Sequence, residues 1–428
     1  MDARETALIC LNLCQHQGGW PDAVLKKQIT AAGLDPREGA LAARLCFGLQ
    51  QNRTLLDFYL GQFSHMPLKR MESKVVQILR LGAHQLRFLD KIPPSAAVNS
   101  AVSLARAYSK NPRAAGMVNG ILRTLARSRD SLPAIPREDK TEYLSIRYSH
   151  PRWLVEEFLK LLDFSETERL LEEHNGQPPA TAMVNTQNTT QEALLGELPE
   201  AQPHPWMEDC VILGRTGRLE ELPAFREGRF YIQDPAARLA VQAAQLRPGM
   251  RVLDLCAAPG GKSFAAALDL EDRGEIISCD IHPHKKALIE AGAKRLGLTC
   301  IQAETQDSRV FRPEWAEGFD VVIADVPCSG LGVIRKKPDI RDKDPLPLEG
   351  LPAIQLALLE NAARYLKCQG VLLYSTCTVL RRENEGVIEA FSEKNKNFSM
   401  EKMQTLWPHR DGTDGVFVCR LRKGAEPA

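Results

Sequence analysis

The amino-acid sequence predicts a multidomain protein with an all-α N-terminal domain, a small α+β middle domain and a C-terminal α/β domain. In the first part of the chain, apolar residues recur at helical spacing with no strand pattern between them, as in "LAARLCFGLQQNRTLLDFYL". In the last part, short apolar strands alternate with helical stretches, which is typical of a doubly wound parallel sheet. A chain of 428 residues is long enough for two or three such domains.

We place the three domains at residues 1–130, 140–235 and 236–428. The helical domain includes "PPSAAVNSAVSLARAYSK", where Pro and Ser favour a helix start, and a charged linker with two prolines follows it. In the middle domain, "TAMVNTQNTT", "DCVILG" and "FREGRFYIQD" have the composition of strands. In the last domain we predict strands over "RVLDL", "EIISCDI", "FDVVIADVP", "GVLLYSTC" and "GVFVCRLR", with helices between most of them.

The composition is that of an ordinary globular protein, with 44% hydrophobic and 25% charged residues. No apolar run is long enough to span a bilayer, and the start of the sequence lacks a signal-peptide core. The eleven cysteines are scattered and odd in number, which favours reduced thiols in the cytoplasm over a disulfide framework. No C-x-x-C pair occurs, so we predict no metal site. We expect a monomer without a membrane partner.

Charge is unevenly distributed, although the net charge is only +1. Residues 1–130 contain 18 Lys and Arg against 9 Asp and Glu, so the remainder of the chain is net acidic. A basic N-terminal third favours an anionic partner such as nucleic acid. The alternative is a basic helical surface that is merely solvated, and charge alone does not separate the two.

A glycine-containing turn, "LDLCAAPGGKSF", follows the first strand of the predicted α/β domain. It is not a nucleotide P-loop, because Cys256 stands where G-x-x-x-x-G-K-[ST] requires glycine. It fits a degenerate D-x-G-x-G-x-G that begins at Asp254, with Cys256 and Ala258 replacing two glycines. This variant suits S-adenosylmethionine, which carries no phosphate. We therefore assign cofactor binding to Cys256, Ala257, Ala258, Pro259, Gly260, Gly261 and Lys262.

Three further acids follow the next strands of the predicted sheet. Asp280 lies 20 residues after Gly260, where an acid that bonds the ribose hydroxyls is expected. Asp307 follows the third strand and is a candidate acceptor for the adenine amino group, and Asp325 ends the fourth strand. Any one of these acids could be an ordinary turn or helix-cap residue. The set in this order instead indicates that the acids line one crevice.

Two cysteines also follow strands, Cys328 in "DVPCSG" and Cys377 in "YSTCT". A lone buried cysteine is usually a packing residue, but two at the crevice of a methyl donor suit covalent catalysis. C5 of cytosine becomes nucleophilic once a thiolate adds to C6, and a base then removes the C5 proton as the thiolate leaves. Asp325 is placed to stabilise the adduct near N3, and Lys262 to hold the thiolate. The residues alone leave open which cysteine is the nucleophile.

Together, "CAAPGGKS", "DVPCSG" and "STCT" resemble the bacterial RNA cytosine-5 methyltransferases of the RsmB/Sun/Fmu type, within the NOL1/NOP2/Sun superfamily. The resemblance extends over nearly the whole chain, since "PPSAAVNSAVSLARAYS" and "GMVNGILR" are similar to the RNA-binding antitermination factor NusB. It implies a NusB-like helical RNA-binding domain, an RRM-like middle domain and a Rossmann-like methyltransferase domain dependent on S-adenosylmethionine. The implied substrate is small-subunit (16S) ribosomal RNA, free or early in assembly.

The resemblance also implies roles for the two cysteines. The Thr-Cys cysteine, Cys377, is the nucleophile, and the Pro-Cys cysteine, Cys328, releases the finished product. DNA cytosine-5 methyltransferases use the Pro-Cys cysteine as nucleophile instead. By the same resemblance, the glycine turn, Asp280, Asp307 and Asp325 bind the cofactor or line its pocket. One departure is minor: Val326 stands where the family usually has alanine.

The loop after the Pro-Cys motif carries three consecutive basic residues, Arg335, Lys336 and Lys337. We predict that they contact phosphates near the target base, with a solvated loop as the alternative. Two other functions stay open for the whole chain. A dehydrogenase on the same sheet would lack its G-x-G-x-x-G, and a non-catalytic RNA-binding assembly factor would not need the intact cysteines. Methylation of a transfer RNA or another RNA cytosine is the nearest alternative substrate.

Overall fold

The computed structural model describes residues 1–17, 21–214 and 218–424, so the last four residues of the predicted catalytic segment lie outside the description. The chain forms two compact units. The first contains residues 1–175 together with 337–343, and the second contains residues 176–336 together with the chain from 344 onward. Across the described residues, no helix is both long and apolar enough to cross a membrane.

The first unit is helical, and the periodicity predicts this over residues 1–130. Its helices are α1 (Ala3–Gln17), α2 (Pro21–Ala32), α3 (Pro36–Gln51), α4 (Arg53–Phe63), α5 (Ser73–Phe88), α6 (Pro94–Tyr108), α7 (Ala114–Arg127), α8 (Lys140–Tyr148), α9 (Arg152–Leu161) and α10 (Phe164–His174). Helix α3 shows how the sequence sets a helix start: Asp35 accepts hydrogen bonds from the backbone N–H groups of Arg37 and Glu38. One continuous apolar core includes Leu45, Leu49 and Leu56, all almost fully buried.

A short turn of 3₁₀-helix, Pro338–Asp342, belongs to the first unit although it lies far along the chain. Its Arg341 is 1% exposed. The guanidinium donates to the carbonyl oxygens of Gln51 and Ser149, both at 3.2 Å, and to Oδ1 of Asn175 at 2.9 Å. Burial lowers the pKa of Arg341 to about 10. A cation at the centre of these acceptors therefore joins the end of α3, the end of α8 and the end of α10.

The first sheet of the second unit is antiparallel and has four strands. They are β1 (Ala180–Val184), β2 (Gln202–Pro203), β3 (Cys210–Leu213) and β4 (Phe230–Ile232), in the order β2-β3-β1-β4. Helices α11 (Gln191–Glu197) and α12 (Pro223–Arg226) connect them. Both β1 and β3 are mostly buried, and Phe230 of β4 packs against their apolar side chains. The three strands predicted for the middle domain are thereby present.

The second sheet has seven strands in the order β10-β11-β9-β8-β5-β6-β7. The strands are β5 (Arg251–Asp254), β6 (Glu275–Asp280), β7 (Ile301–Thr305), β8 (Phe319–Asp325), β9 (Leu366–Thr376), β10 (Phe398–Leu406) and β11 (Val416–Lys423). The helices of this region are α13 (Pro235–Gln242), α14 (Gly261–Asp269), α15 (Pro283–Leu296), α16 (Leu351–Tyr365), α17 (Glu385–Lys394) and α18 (Pro408–Asp411).

Strands β5 to β9 pair in parallel, as expected of a doubly wound sheet, whereas β11 and β10 are antiparallel at one edge. The sequence pattern did not predict β10. Its residues are nearly all exposed, because β10 is an edge strand, so it lacks the apolar run that marks β5 or β8. Strand β11 is buried and was predicted.

Candidate active site

The carboxyl ends of the parallel strands meet at one cavity of about 550 Å³ in the second unit. Ligands of doubly wound sheets bind at this edge. The predicted acids and cysteines converge here, because the cavity is lined by Cys256, Ala258, Asp280, Asp307, Asp325, Cys328 and Cys377. Eleven further lining residues were not predicted. Among them, Ile281, His282, Lys285 and Gln306 follow β6 and β7 without being acids or cysteines, and Ile354 and Leu358 lie on α16.

The glycine turn brings the backbone to the cavity and then begins α14. Gly260 has φ +112°, and a Cβ there would lie 2.4 Å from the ring of Phe264, so the position requires glycine. The turn is fixed by the Ala257 N–H, which donates to Cys279 O at 2.8 Å. Cys256 and Ala258 reach the cavity, whereas Ala257 is buried and Pro259, Gly260 and Gly261 shape the turn.

Asp254 supports the turn from below and does not line the cavity. It is fully buried, and its carboxylate accepts a hydrogen bond from Ser263 Oγ at 2.8 Å. Ser278 Oγ in turn donates to Ser263 Oγ at 2.7 Å. Burial raises the pKa of Asp254 to about 7. The shape of the turn thus depends on a carboxyl group whose charge is costly in the folded chain.

Asp254 makes a prediction about stability and pH. Between about pH 4 and pH 7 the folded chain keeps a proton on Asp254 that the unfolded chain has lost. As the pH rises through this range, Asp254 therefore lowers the free energy of unfolding by about 1.4 kcal/mol per pH unit. Asp254→Asn should remove that slope. Urea unfolding of the wild type and the variant at pH 5, 6 and 7 measures it. Asp344→Asn, at an exposed position, is the control. An equally steep slope in Asp254→Asn would contradict the prediction.

Asp280 and Asp307 lie at the ends of β6 and β7, on one side of the cavity. Asp280 is 6% exposed, accepts from the His282 N–H at 3.0 Å and lies 3.5 Å from the Lys285 ammonium. Asp307 is more exposed and forms an ion pair with Arg309 at 2.7 Å, which lowers the pKa of Asp307. Both residues line the cavity.

The two cysteines are in direct contact. The Cys328 and Cys377 Sγ atoms are 3.2 Å apart, and both thiols are free. The hydrogen bond from Cys328 lowers the pKa of Cys377, and the same bond, with burial, raises the pKa of Cys328. Of the two thiols, Cys377 is therefore the one whose ionised form is favoured. A thiolate is the form in which cysteine acts as a nucleophile.

Lys262 and Asp325 lie beside the thiol pair as a partly buried ion pair. Lys262 Nζ donates to Asp325 Oδ2 at 2.6 Å, and Ser375 Oγ donates to Asp325 Oδ1 at 2.7 Å. Burial opposes the charge of Lys262, but Asp325 outweighs it and the pKa of Lys262 is raised. Lys262 thus acts on Cys377 through its charge, which lowers the pKa of that thiol, while its hydrogen bond goes to Asp325.

Two buried polar residues behind the Pro-Cys loop were missed by the sequence analysis. Glu383 and Gln355 are both fully buried. Glu383 Oε2 accepts from the Ser329 N–H at 2.8 Å and from Gln355 Nε2 at 3.0 Å. Their one signal in the sequence is an acid six positions after Cys377, within a stretch that reads as a helix start.

The three basic residues after the Pro-Cys loop are not equivalent. Arg335 is 4% exposed, and its guanidinium lies 3.3 Å from Asp414. Lys336 Nζ forms ion pairs with Asp234 at 2.5 Å and with Asp414 at 2.7 Å. Lys337 is exposed and belongs to the first unit. RNA binding by these residues stays a prediction, and at Arg335 and Lys336 a phosphate would compete with internal carboxylates.

Comparison with known proteins assigns each region to a family. A family model of the 16S rRNA methyltransferase RsmB/F matches residues 241–422. A NusB family model matches residues 1–127, and a model of the RsmF/B-like ferredoxin-like domain matches residues 150–220. The predicted fold class is confirmed: a NusB-like helical domain, a ferredoxin-like middle domain and a Rossmann-like methyltransferase domain with a mixed sheet.

The similarity to known proteins extends over nearly the full length of the chain. The chain is 36% identical to the probable ribosomal RNA small subunit methyltransferase B of Bacillus subtilis, over 98% of each sequence. It is 31% identical to ribosomal RNA small subunit methyltransferase B of Erwinia tasmaniensis, over 90% of this chain and 91% of the relative. Among solved structures, PH0851 covers 99% of each chain with a TM-score of 0.81 at 22% identity. A methyltransferase homolog protein from Pyrococcus horikoshii covers 65% of this chain and 97% of its own, with a TM-score of 0.59 at 23% identity. These two share the fold.

The sheet, the cavity at its strand ends and the matching family models define the class of protein as a methyltransferase of the RsmB/F type. The identity to the named relatives over 90% or more of the chain assigns it to a particular family within this class. The chain belongs to the family of ribosomal RNA small subunit methyltransferase B proteins.

Proposed function

We propose that this protein transfers a methyl group from S-adenosylmethionine to C5 of a cytosine in small-subunit (16S) ribosomal RNA, through a covalent bond between Cys377 and C6. The observation that carries the proposal is the contact of the Cys328 and Cys377 Sγ atoms at the strand ends, where both line one cavity with Asp280, Asp307 and Asp325. Family membership supports the ribosomal substrate, since the relatives are named for it.

S-adenosylmethionine fits the donor set of the cavity. The turn from Cys256 to Lys262 offers a close backbone approach with no need for a phosphate, and the Asp280 and Asp307 carboxylates suit ribose hydroxyls and an adenine amino group. A volume of about 550 Å³ is within the usual range for a small-molecule site. The cofactor, when bound, supplies an electrophilic methyl group.

Cys377 begins the reaction by adding to the target base. Its thiolate forms a bond to C6, and the electron pair of the C5–C6 double bond moves to C5. C5 would then take the methyl group of bound S-adenosylmethionine, with the electron pair of the S–CH3 bond staying on the sulfur of the departing S-adenosylhomocysteine. After transfer, a base removes the C5 proton, the C5–C6 double bond re-forms, and the electron pair of the C6–S bond returns to Cys377. The neighbouring Cys328 serves this release step.

Asp325 stabilises the adduct at N3 of the base. Its carboxylate is held from two sides, by Lys262 and by Ser375, so its orientation is fixed before the substrate arrives. The ring gains electron density when the thiolate adds, and a proton held between N3 and Asp325 offsets it. Lys262 adds a positive charge close to both the carboxylate and the nucleophile.

RNA binding is assigned to the basic N-terminal region, with its 18 Lys and Arg against 9 Asp and Glu, and to the loop with Arg335, Lys336 and Lys337. The proposed domains are 1–130, 140–235 and 236–428. We propose that the protein acts in the cytoplasm as a monomer on RNA that is free or early in assembly. The target cytosine has to be unstacked to reach Cys377.

The decisive experiment is methyl transfer to deproteinised, unmodified 16S ribosomal RNA, read by nucleoside mass spectrometry. We expect 5-methylcytidine from the wild type and none from Cys377→Ala. Transfer only to transfer RNA would keep the chemistry and replace the substrate. RNA binding without any transfer, in a protein that still binds the cofactor, would favour a non-catalytic assembly role.

A further inference from the structure

Glu383 is a buried carboxylate directly behind the Pro-Cys loop, and the proposed mechanism gives it no role. It is 0% exposed and precedes α17. Its own backbone is fixed, because Tyr374 OH donates to the Glu383 carbonyl oxygen at 2.6 Å. Glu383 Oε1 is buried and has no hydrogen-bond partner among the residues that the structure describes. Burial of a carboxylate with an unpaired oxygen costs free energy of folding, which suggests that the charge has a function.

Glu383 is linked by hydrogen bonds to both chain neighbours of Cys328. Its Oε2 atom accepts from the N–H of Ser329, the residue after Cys328, at 2.8 Å. It also accepts from Gln355 Nε2, which donates to the carbonyl oxygen of Pro327, the residue before Cys328, at 3.0 Å. Ser329 Oγ donates to Thr378 Oγ1 at 2.8 Å, which joins the loop to the segment of Cys377.

The charges around the two thiols are therefore unequal. Glu383 and Asp325 act on Cys328, and no cation is among the main influences on its pKa. The charged groups that act on Cys377 are Asp325 and Asp414, which oppose ionisation of the thiol, and Lys262, which favours it. An anion beside a thiol disfavours its ionised form, and a cation favours it.

We propose that Glu383 is a positioning residue that keeps the shared proton of the thiol pair on Cys328, so that the free thiolate is Cys377. The inference deepens the proposed function and rests on it only in calling that thiolate the nucleophile. The carboxylate acts through the Pro-Cys loop and its charge, without touching the substrate. It thereby assigns different roles to two chemically identical side chains 3.2 Å apart.

The test is the preference of a thiolate-selective reagent between the two cysteines. The full-length protein is treated with limiting iodoacetamide at pH 8, and alkylation at Cys377, Cys328 and the exposed Cys368 is quantified by peptide mass spectrometry. In the wild type we expect Cys377 to be alkylated before Cys328. In Glu383→Gln, which keeps the shape and removes the charge, the ratio of Cys377 to Cys328 should fall by about tenfold. Alkylation of the exposed Cys368 serves as the internal reference for the amount of reagent.

Two variants separate charge from packing. Gln355→Met breaks hydrogen bonds in the same cluster but keeps the carboxylate, so the ratio should stay at or above that of the wild type. Glu389→Gln removes a carboxylate at an exposed ion pair with Arg381 and should leave the ratio unchanged. An unchanged ratio in folded Glu383→Gln would overturn the proposal. Should that variant not fold, a ratio below wild type in Gln355→Met would overturn it.

The pH profile of the same alkylation adds a reading that a purely structural role would not move. In Glu383→Gln the rate at Cys328 should rise at lower pH than in the wild type, because the anion that opposes ionisation is gone. A shift of both cysteines together would indicate a loosened loop and would contradict the proposal. These measurements need no RNA and no cofactor, so their failure is distinct from a failure of the methyl-transfer assay.

Discussion

Replacing Cys377 by alanine is expected to abolish methyl transfer, by at least about 10³-fold, and to leave no covalent protein–RNA complex. In the proposed mechanism, the Cys377 thiolate makes C5 of the base nucleophilic. Among the described residues that line the cavity, Cys377 is the one cysteine whose pKa is lowered. Cofactor binding should be retained, since the turn and the Asp280 and Asp307 carboxylates are untouched. Transfer to 16S ribosomal RNA and a denaturing gel of the protein–RNA mixture measure the two effects.

Cys328→Ala should have the opposite signature on the gel. Addition of Cys377 to the base and methyl transfer remain possible, but release is impaired, so the protein should accumulate as a slowly migrating RNA adduct. The double variant Cys328→Ala/Cys377→Ala serves as the control and should form no adduct. If the adduct appears with Cys377→Ala instead, the roles of the two cysteines are reversed.

The positions of these two cysteines could be predicted because the sheet is parallel. Once Cys328 and Cys377 are known to follow neighbouring strands β8 and β9, the carboxyl ends of those strands bring them to one edge. The same rule brought Asp280, Asp307 and Asp325 to the cavity. A strand pattern followed by a polar residue carries this information locally, so no contact between distant segments had to be known.

Other parts of the site depend on contacts that a local pattern does not contain. The stretch "GVIRKKPD" predicts that Arg335 is exposed, but the residue is buried. Its guanidinium contacts Asp414, which is 79 positions away in the chain. Glu383 reads as part of a helix start, and its carboxylate is instead a hydrogen-bond acceptor for the Pro-Cys loop. Charge partners between distant segments decide both cases, and the sequence does not show which segments meet.

The same limit applies to Arg341, whose role in the first unit has no sequence signal. The residue lies in "KPDIRDKD", a charged stretch with a proline that resembles an exposed loop. In the structure it is 1% exposed, and carbonyl oxygens that terminate three helices accept its hydrogen bonds. Carbonyl groups at helix ends have no partner within the helix, so a buried cation satisfies several of them at once.

Arg341→Met is therefore expected to destabilise the helical unit by about 3–5 kcal/mol, since it leaves buried acceptors unpaired. Urea unfolding followed by far-ultraviolet circular dichroism measures the change. Arg53→Met is the matched control, because Arg53 pairs with Asp342, the next residue of the same segment, but is 43% exposed. An exposed ion pair contributes about 1 kcal/mol or less. Equal effects of the two variants would mean that the buried guanidinium does not hold these helix ends together.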